Sequence, residues 1–292
     1  SGMEHHSNFL PWQQVCQATG AQLCFIELKA DGTLDVDAAD GLFDLSTRLI
    51  AVSHISNVLG VINPIADLIE RASQKEIPVL VDATQSVGHI PVDVSALNCD
   101  FLVFSAHKMF GPSGIGALFA KPERLQEMEP LLFGGGMVDE VDDRASSWAT
   151  YPARFEAGSP NLAGAIGFAS AVDYIEHIGL STMQAVVEEL TEKVKEALLP
   201  IRGLEIYGPK VADQRAGIVS FNLQGVHPHD VAQVAGDMGV AIRSGHHCCQ
   251  PLMRRLGVTG TARASFAPYN LVEDVDALVE SVLAAQAMFA IN

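Results

Sequence analysis

The sequence predicts an α/β fold in which a large domain with a mainly parallel sheet precedes a smaller α+β domain. In the first half of the chain, short apolar runs of strand type alternate with amphipathic helices, and this alternation implies parallel pairing through crossover connections. After Gly203 the spacing of strands and helices changes, which indicates a second compact unit. We therefore expect a large domain over residues 3–178 and a small domain over residues 179–292.

The large domain owes its predicted sheet to apolar runs bounded by turn residues. Ile65, Leu68, Ile69 and Ala72 recur at helical spacing between two such runs, so they predict a crossover helix. The predicted strands cover residues 23–28, 49–53, 78–82, 101–104 and 118–120, and the predicted helices cover residues 13–19, 64–74 and 122–128.

The second half of the chain begins with a polar segment over residues 134–150, which contains three glycines and five consecutive residues of which four are acidic. Such a segment is either a mobile lid or a plain surface loop. The next helix, over 162–177, is rich in small residues, so we expect it to pack closely. The remaining predicted elements are helices over 182–198, 229–238 and 273–288 and strands over 218–222, 240–243 and 262–266.

Composition excludes several classes of protein. The formal net charge of −17 opposes binding to nucleic acid or to an anionic membrane. Five cysteines are an odd number without the spacing of a disulfide framework, so we expect a reducing compartment, the cytoplasm. No apolar run approaches the roughly 18 residues that span a bilayer, and no secretory signal pattern is present. Ser1 and Gly2 resemble the remainder of an expression tag and are left out of the predicted domains.

Lys108 is the first candidate for chemistry, because it follows the strand over 101–104 directly and precedes a glycine-rich turn. A partly desolvated lysine loses some preference for its charged form and becomes nucleophilic enough to form a Schiff base with an aldehyde. Pyridoxal phosphate (PLP) is the usual aldehyde in proteins. The competing interpretation is a solvated lysine in a surface loop.

Polar residues follow the neighbouring strands, and parallel sheets bind ligands at the carboxyl ends of their strands. Asp82 ends the strand over 78–82 and could hold a protonated pyridine nitrogen, with Gln85 reaching a ring substituent. Ser105 and His107 flank Lys108 and could donate to a phosphate. The alternatives are a helix cap for Asp82, a surface serine and a packed histidine.

The stretch from Arg243 to Pro251 contains two histidines followed by two cysteines. Adjacent side chains rarely converge on one metal ion, so we expect this stretch to bind no zinc. A better interpretation is a thiol nucleophile, with Arg243 and the histidines favouring the thiolate. Arg263, on the strand over 262–266, could pair with a substrate carboxylate, unless it forms a surface salt bridge. Cys16, Cys24 and Cys99 are expected to be inert.

Seven stretches, in order, carry a resemblance to a known family: EHHSN, SHISNVLG, LVDATQS, FSAHKMFGPSGIG, RFEAGSPN, RSGHHC and RASFAPYN. They resemble the group II cysteine desulfurases, of the SufS and CsdA type, within the class V aminotransferase superfamily. The stretch GVTGTARASFAPYN and the short loop GGGMVDEV are more similar to the CsdA branch. The resemblance implies the PLP-dependent transferase fold of type I and a homodimer.

The resemblance also implies roles for individual residues. Lys108 would hold the PLP aldehyde, Asp82 the pyridine nitrogen and Gln85 the ring oxygen, and His5 would stack on the ring and transfer protons. Asn57 and Arg263 would bind the substrate carboxylate, Arg243 would also bind substrate, and Cys248 would accept the sulfur. The phosphate would be bound by Ser105, His107 and, from the other subunit, Ser159. Cys249 stands where relatives commonly have alanine, so the sequence leaves open which thiol reacts.

The expected activity is L-cysteine desulfuration, which gives alanine and a persulfide on Cys248 for transfer to a SufE- or CsdE-like acceptor protein. Selenocysteine and cysteine sulfinate remain open as substrates. The alternatives are another class V reaction, transamination or β-elimination, and a noncatalytic piece that dimerises without cofactor. Family members begin further upstream with a phosphate-binding turn, so we expect the sequence to be a fragment or a shortened form.

Overall fold

Two separate four-stranded sheets form the framework of the computed structural model, which describes residues 1–209 and 214–289. The strands of the first sheet are β1 (Ile50–Ser53), β2 (Val79–Asp82), β3 (Phe101–Ser105) and β4 (Gly116–Ala120), and they lie in that order. β2 pairs in parallel with both β1 and β3, whereas β4 pairs with β3 in the antiparallel direction. The predicted α/β class with a mainly parallel sheet is confirmed.

A hairpin and a second sheet follow. The hairpin joins β5 (Val138–Val141) and β6 (Ser146–Trp148). The second sheet contains β7 (Leu204–Tyr207), β8 (Ile218–Leu223), β9 (Arg243–Gly245) and β10 (Thr261–Ser265), in the order β7-β8-β10-β9. Every pair within this sheet is antiparallel, which matches the expected α+β unit.

Helices connect and cover the sheets. They are α1 (Leu10–Thr19), α2 (Val36–Ala39), α3 (Ile65–Ser73), α4 (Val94–Leu97), α5 (Pro122–Glu127), α6 (Leu162–Ile178), α7 (Leu180–Leu198), α8 (Pro228–Asp237), α9 (Gln250–Arg255) and α10 (Val272–Met288). α3 begins after Pro64, crosses from β1 to β2 and buries the apolar stripe that predicted it. Within the described residues, no helix combines the length and hydrophobicity needed to cross a membrane.

The hydrophobic core divides into two main clusters. One surrounds the first sheet and includes Val52, Val81 and Leu102, and α9 contributes Leu252 to it from far along the chain. The other lies between the second sheet and α7, α8 and α10. Because α9 belongs to the first core, the loop between β9 and α9 is drawn to the first sheet. The boundary between residues 178 and 179 stays a prediction.

Three expectations about secondary structure are wrong. The segment over 134–150 is not a plain loop, because it contains the hairpin of β5 and β6. The strand predicted over 240–243 begins only at Arg243 and continues to Gly245, because only these residues pair with β10. Residues 23–28 form no strand, although Leu28 makes an isolated bridge with Leu34.

The close packing expected for α6 is limited to a few positions. Gly164, Ala171 and Ile175 are buried. Leu162 and Ile166, in contrast, are 68% and 71% exposed. The apolar side of α6 is therefore left largely uncovered within the chain.

Candidate active site

The carboxyl ends of β1, β2 and β3 meet at one edge of the first sheet. Ser53 lies beside Asp82, and Asp82 lies beside Val103, in the parallel register. The loop after β1 carries Asn57, and a short 3₁₀ turn after β3, Ala106–Lys108, carries Lys108. The topology therefore places the expected residues beyond adjacent strands, as parallel pairing requires.

Lys108 is held by a tight turn. The N–H groups of Met109 and Gly111 both donate to the carbonyl of Ala106 at 2.9 Å. Gly116 is required where β4 returns, because a Cβ there would lie 2.5 Å from the Phe104 carbonyl oxygen. The half-buried Lys108 amine has no hydrogen bond or ion pair within the described residues. Burial, followed by the nearby charges of Arg263 and Arg243, lowers its pKa.

Asp82 is the matching acid at the end of β2. Its Oδ1 accepts a hydrogen bond from the Thr84 N–H at 3.0 Å. Burial raises the pKa of this carboxyl group. No cation pairs with Asp82 within the described part of the chain, so a protonated ring nitrogen would complete its environment. The half-buried Gln85 lies on the turn that follows, and its side chain makes no hydrogen bond to the described residues.

The amino-terminal segment brings His5 to the same site. His5 Nδ1 accepts a hydrogen bond from the Ser7 N–H at 3.1 Å, which begins a 3₁₀ turn over His6–Asn8. Burial lowers the pKa of His5, and the positive charges of His6, Arg243, Lys108 and Arg263 lower it further. Its imidazole is therefore favoured in the neutral form, which can accept or pass on a proton.

The residues expected to bind the phosphate lie in separate parts of the chain. Ser105 ends β3 beside Gly116, and His107 is exposed one residue before Lys108. Ser159 lies on an exposed loop before α6. The side chains of all three make no hydrogen bond within the described residues, which leaves their donors available to a ligand. Their role in phosphate binding stays a prediction.

The loop between β9 and α9 presents the candidate thiol. His247 and Cys248 have φ of +53° and +58°, so the backbone turns through the left-handed region at two successive residues. The Cys248 N–H donates to His246 Nδ1 at 3.1 Å, and the Cys248 carbonyl accepts from the His6 N–H at 2.8 Å. Arg243 Nη2 lies 3.5 Å from the half-buried Cys248 Sγ as a hydrogen-bond donor. This contact places a fixed positive charge beside the thiol.

Cys249 faces the opposite way and is fully buried. Its thiol donates to the carbonyl oxygens of Met3 and Glu4, at Sγ–O distances of 3.2 and 3.0 Å. Burial, reinforced by the negative charge of Glu4, raises the pKa of Cys249 to about 12. Cys249 therefore remains protonated near neutral pH, whereas the Cys248 thiol contacts Arg243, one of the two arginines whose charge lowers the pKa of Lys108.

Arg263 connects this loop to the rest of the site. It lies opposite Arg243 in the pairing of β10 with β9, and its Nη1 donates to the Asn57 carbonyl oxygen at 2.7 Å. Its Nε is buried without a partner among the described residues. Burial and the neighbouring Arg243 lower the pKa of Arg263 to about 10. A guanidinium with an unused buried donor is suited to an anionic ligand such as a carboxylate.

The structure changes two details of the expected site. Asn57 Nδ2 donates to the His247 carbonyl oxygen at 2.8 Å. Asn57 therefore fixes the loop that carries Cys248, in addition to any contact it makes with a ligand. His247 cannot favour the thiolate by its charge, because burial lowers its pKa to about 3 and keeps it neutral. Among the described residues, no cluster of His, Cys, Asp or Glu side chains could hold a metal ion.

Sequence reasoning missed Glu4, whose buried carboxylate accepts hydrogen bonds from Ser53 at the end of β1 and from Asn8. It also missed Thr261, which hydrogen-bonds to the His247 ring. The signal for Glu4 was its place in the stretch EHHSN, where only His5 was considered. Nothing near Thr261 in the sequence indicates a partner 14 residues away.

Comparisons with known proteins agree with this geometry. The family model of the class-V aminotransferases matches residues 1–278. A probable cysteine desulfurase from Halalkalibacterium halodurans is 48% identical over 96% of this chain and 68% of its own length. A cysteine desulfurase from Haloferax volcanii is 46% identical over 99% of this chain and 67% of its own length. This chain thus spans about two thirds of the length of these relatives.

Solved structures give the same result. The cysteine desulfurase CsdA from Escherichia coli superposes with a TM-score of 0.95 at 38% identity, over 99% of this chain and 71% of that chain. The apo cysteine desulfurase from Thermococcus onnurineus NA1 superposes with a TM-score of 0.94 at 41% identity, over 98% of this chain and 72% of that chain. Both matches confirm the expected fold type. The chain belongs to the class V aminotransferase family and, within it, to the cysteine desulfurases.

Proposed function

We propose that this chain carries the active site of a PLP-dependent L-cysteine desulfurase, with Cys248 as the thiol that accepts sulfur. The observation that carries the proposal is the half-buried Cys248 Sγ, 3.5 Å from Arg243 Nη2, on a loop joined through Asn57 to Arg263. These arginines lie close enough to Lys108 to lower its pKa. A thiol, an amine and a carboxylate-binding group therefore share one site.

The residues present fit the cofactor, which the family uses. Asp82 would hold the ring nitrogen, Lys108 the aldehyde carbon, and Gln85 the ring oxygen. The ring would stack on His5, and the phosphate would bind Ser105, His107 and Ser159 of a second subunit. Bound PLP supplies an electron sink that stabilises negative charge on the substrate carbon next to the amine. The carboxyl of Asp82 is the clearest support: it has no cationic partner among the described residues, burial raises its pKa, and a cationic partner would stabilise its charged form.

The protein side chains supply the remaining steps. Arg263 and Arg243 bind and orient the substrate carboxylate, and the lowered pKa of Lys108 lets its amine take the proton from the substrate. Cys248 Sγ then attacks the substrate sulfur. His5 takes the thiol proton of Cys248, and the new S–S bond forms as the Cβ–S bond breaks. Cβ keeps the electron pair and receives that proton from His5, while Lys108 returns its proton to the carbon next to the amine. The products are alanine and a persulfide on Cys248.

The decisive experiment compares Cys248→Ala with Cys249→Ala in the PLP-loaded protein. We expect Cys248→Ala to lower alanine and persulfide formation by about a hundredfold or more, because the attacking atom is lost. Cys249→Ala should stay within about threefold of the parent, since its buried thiol touches no substrate. The measurement is alanine release together with the mass of the Cys248 peptide.

Two results would contradict the proposal. A persulfide on Cys249 would show that Cys249, and not Cys248, is the nucleophile. Full activity of Cys248→Ala, with pyruvate or a transaminated product in place of alanine, would indicate another class V reaction.

We also propose a homodimer that passes its persulfide to the thiol of a SufE- or CsdE-like acceptor protein. Exposed apolar side chains support the dimer. Leu131, Leu132 and Phe133 are 90%, 67% and 67% exposed, and α6 adds Leu162 and Ile166. These residues flank Ser159, the residue expected to reach a second active site. Selenocysteine and cysteine sulfinate are further substrates to assay at the same site.

A further inference from the structure

The backbone at Cys248 has a conformation that residues other than glycine rarely adopt. His247 and Cys248 both have positive φ, at +53° and +58°, and neither is glycine. Free of other contacts, such a loop would relax and move the thiol. The contacts that prevent this relaxation therefore determine where Cys248 Sγ lies.

The His247 ring makes the innermost of these contacts. It is 1% exposed, and its Nε2 lies 3.0 Å from the Thr261 carbonyl oxygen and 2.9 Å from Thr261 Oγ1. A carbonyl oxygen only accepts, so Nε2 carries the hydrogen and donates it to Thr261. The ring is a neutral donor that joins the cysteine loop to β10.

A second contact holds the backbone of the same residue. Asn57 Nδ2 donates to the His247 carbonyl oxygen, and Arg263 Nη1 donates to the Asn57 carbonyl oxygen. Thr261 and Arg263 are two residues apart on β10, so their side chains leave the same face of the strand about 7 Å apart. One rigid strand thus holds the anchor of the thiol loop and the group expected to bind the substrate carboxylate.

We propose that His247 is a positioning residue: its hydrogen bond to Thr261 fixes the distance between Cys248 Sγ and the substrate carboxylate held by Arg263. The inference rests on the proposed function, because it requires Cys248 to be the attacking thiol. It assigns His247 a role in geometry, distinct from the electrostatic activation that Arg243 provides.

The test compares His247→Leu with His247→Gln in the PLP-loaded protein. Glutamine places an N–H donor near the position of Nε2, whereas leucine fills the space without one. We expect His247→Leu to lower kcat for persulfide formation about tenfold. The KM for cysteine and the visible absorbance of the cofactor should stay unchanged, and His247→Gln should remain within about threefold of the parent.

A second readout does not depend on turnover. The rate at which iodoacetamide alkylates Cys248, followed by peptide mass, should rise severalfold in His247→Leu and stay at the parental value in His247→Gln. Equal rates and equal kcat in His247→Leu and the parent would overturn the inference. An equal loss of kcat in both variants would also overturn it, because ring volume would then be the cause.

A matched pair at Thr261 decides the matter if His247→Leu does not bind cofactor. Thr261→Val keeps the shape and the carbonyl acceptor but removes Oγ1, the nearer of the two acceptors of His247 Nε2, whereas Thr261→Ser keeps both acceptors and loses a methyl group. Faster alkylation of Cys248 in Thr261→Val than in Thr261→Ser supports the inference, and equal rates or the reverse order overturn it. Failure of the proposed function is separate, since the parent itself would then form no persulfide on Cys248.

Discussion

At the scale of single residues, Lys108 shows how burial and neighbouring charge prepare an amine for chemistry. The residue follows β3, has no carboxylate partner among the described residues, and lies near two arginines. Lys121 also follows a strand of the same sheet, but it lies 3.8 Å from Asp100 Oδ1 in an ion pair. Position in the sheet alone therefore does not distinguish the two lysines, whereas their charged neighbours do.

Replacing Lys108 with alanine should remove the visible absorbance of bound PLP and lower turnover by at least about a thousandfold, because the attached amine is lost. The measurement is an absorbance spectrum after dialysis, with alanine release as the second readout. Lys121→Ala is the matched control and should keep both properties. Persistent absorbance in Lys108→Ala, after borohydride treatment and dialysis, would exclude this assignment.

His54 links a buried ring to stability in acid. It lies directly after β1, its Nδ1 has no partner among the described residues, and burial lowers its pKa to about 4. The unfolded chain protonates this ring below about pH 6.5, while the folded chain does so only near pH 4. The free energy of unfolding should therefore fall as the pH falls through this window.

For His54 alone, the slope in that window should be about 1.4 kcal/mol per pH unit. His54→Gln should reduce the pH dependence by this amount, and a glutamine replacement of the exposed His177 serves as the control substitution. Urea unfolding at several pH values between about 4.5 and about 7.5 measures the slope. An identical pH dependence in His54→Gln and the parent would contradict this account.

At the scale of elements, the first sheet was predictable because each strand is an apolar run with its own boundaries. β1, β2 and β3 begin or end within one residue of the predicted positions. β9 was misplaced, because the apolar run over 240–242 resembles a strand, yet pairing with β10 begins at Arg243. Pairing between distant segments is not encoded in a short window of sequence.

The candidate site was predictable to a similar degree. Lys108 and Asp82 follow strands, so topology alone brings them together. Different surroundings for Cys248 and Cys249 were expected from side-chain alternation along an extended loop. The loop is instead a turn, with Cys248 at φ +58° and the Cys249 N–H donating to the His246 carbonyl oxygen, and this turn separates the two thiols. The contacts of His247 with Thr261 and of Glu4 with Ser53 join segments 14 and 49 residues apart, and no local pattern reports them.

A buried hydrogen bond from the second sheet to the loop after β1 can be tested. Ser220 Oγ on β8 donates to the carbonyl oxygen of Val58, in the loop that carries Asn57, at 2.6 Å, and both groups are buried. Ser220→Ala should lower the free energy of unfolding by about 1–2 kcal/mol, because the Val58 carbonyl is left unsatisfied. Ser265→Ala, at an exposed position of β10, is the control for chemical denaturation and should change little. A Ser220→Ala protein as stable as the parent would show that the contact does not contribute.

At the scale of the whole molecule, the exposed apolar side of α6 supports the proposed homodimer. Ile166→Glu should shift the protein from twice the chain mass towards the monomer, because a charge would be buried in the interface. Leu45→Glu is the control, because Leu45 is 97% exposed and does not belong to α6. Light scattering coupled to gel filtration measures the mass. A dimer that withstands Ile166→Glu would place the interface elsewhere.

The burial of Cys249 has a consequence for the fate of the sulfur. A thiol next to a persulfide ordinarily attacks the inner sulfur, closes a disulfide and releases sulfide into solution. Here that neighbour is protonated, and its hydrogen is engaged by carbonyl oxygens of the amino-terminal segment. We therefore expect the persulfide on Cys248 to survive until another molecule arrives, so that the sulfur is delivered as cargo and little is lost as free sulfide.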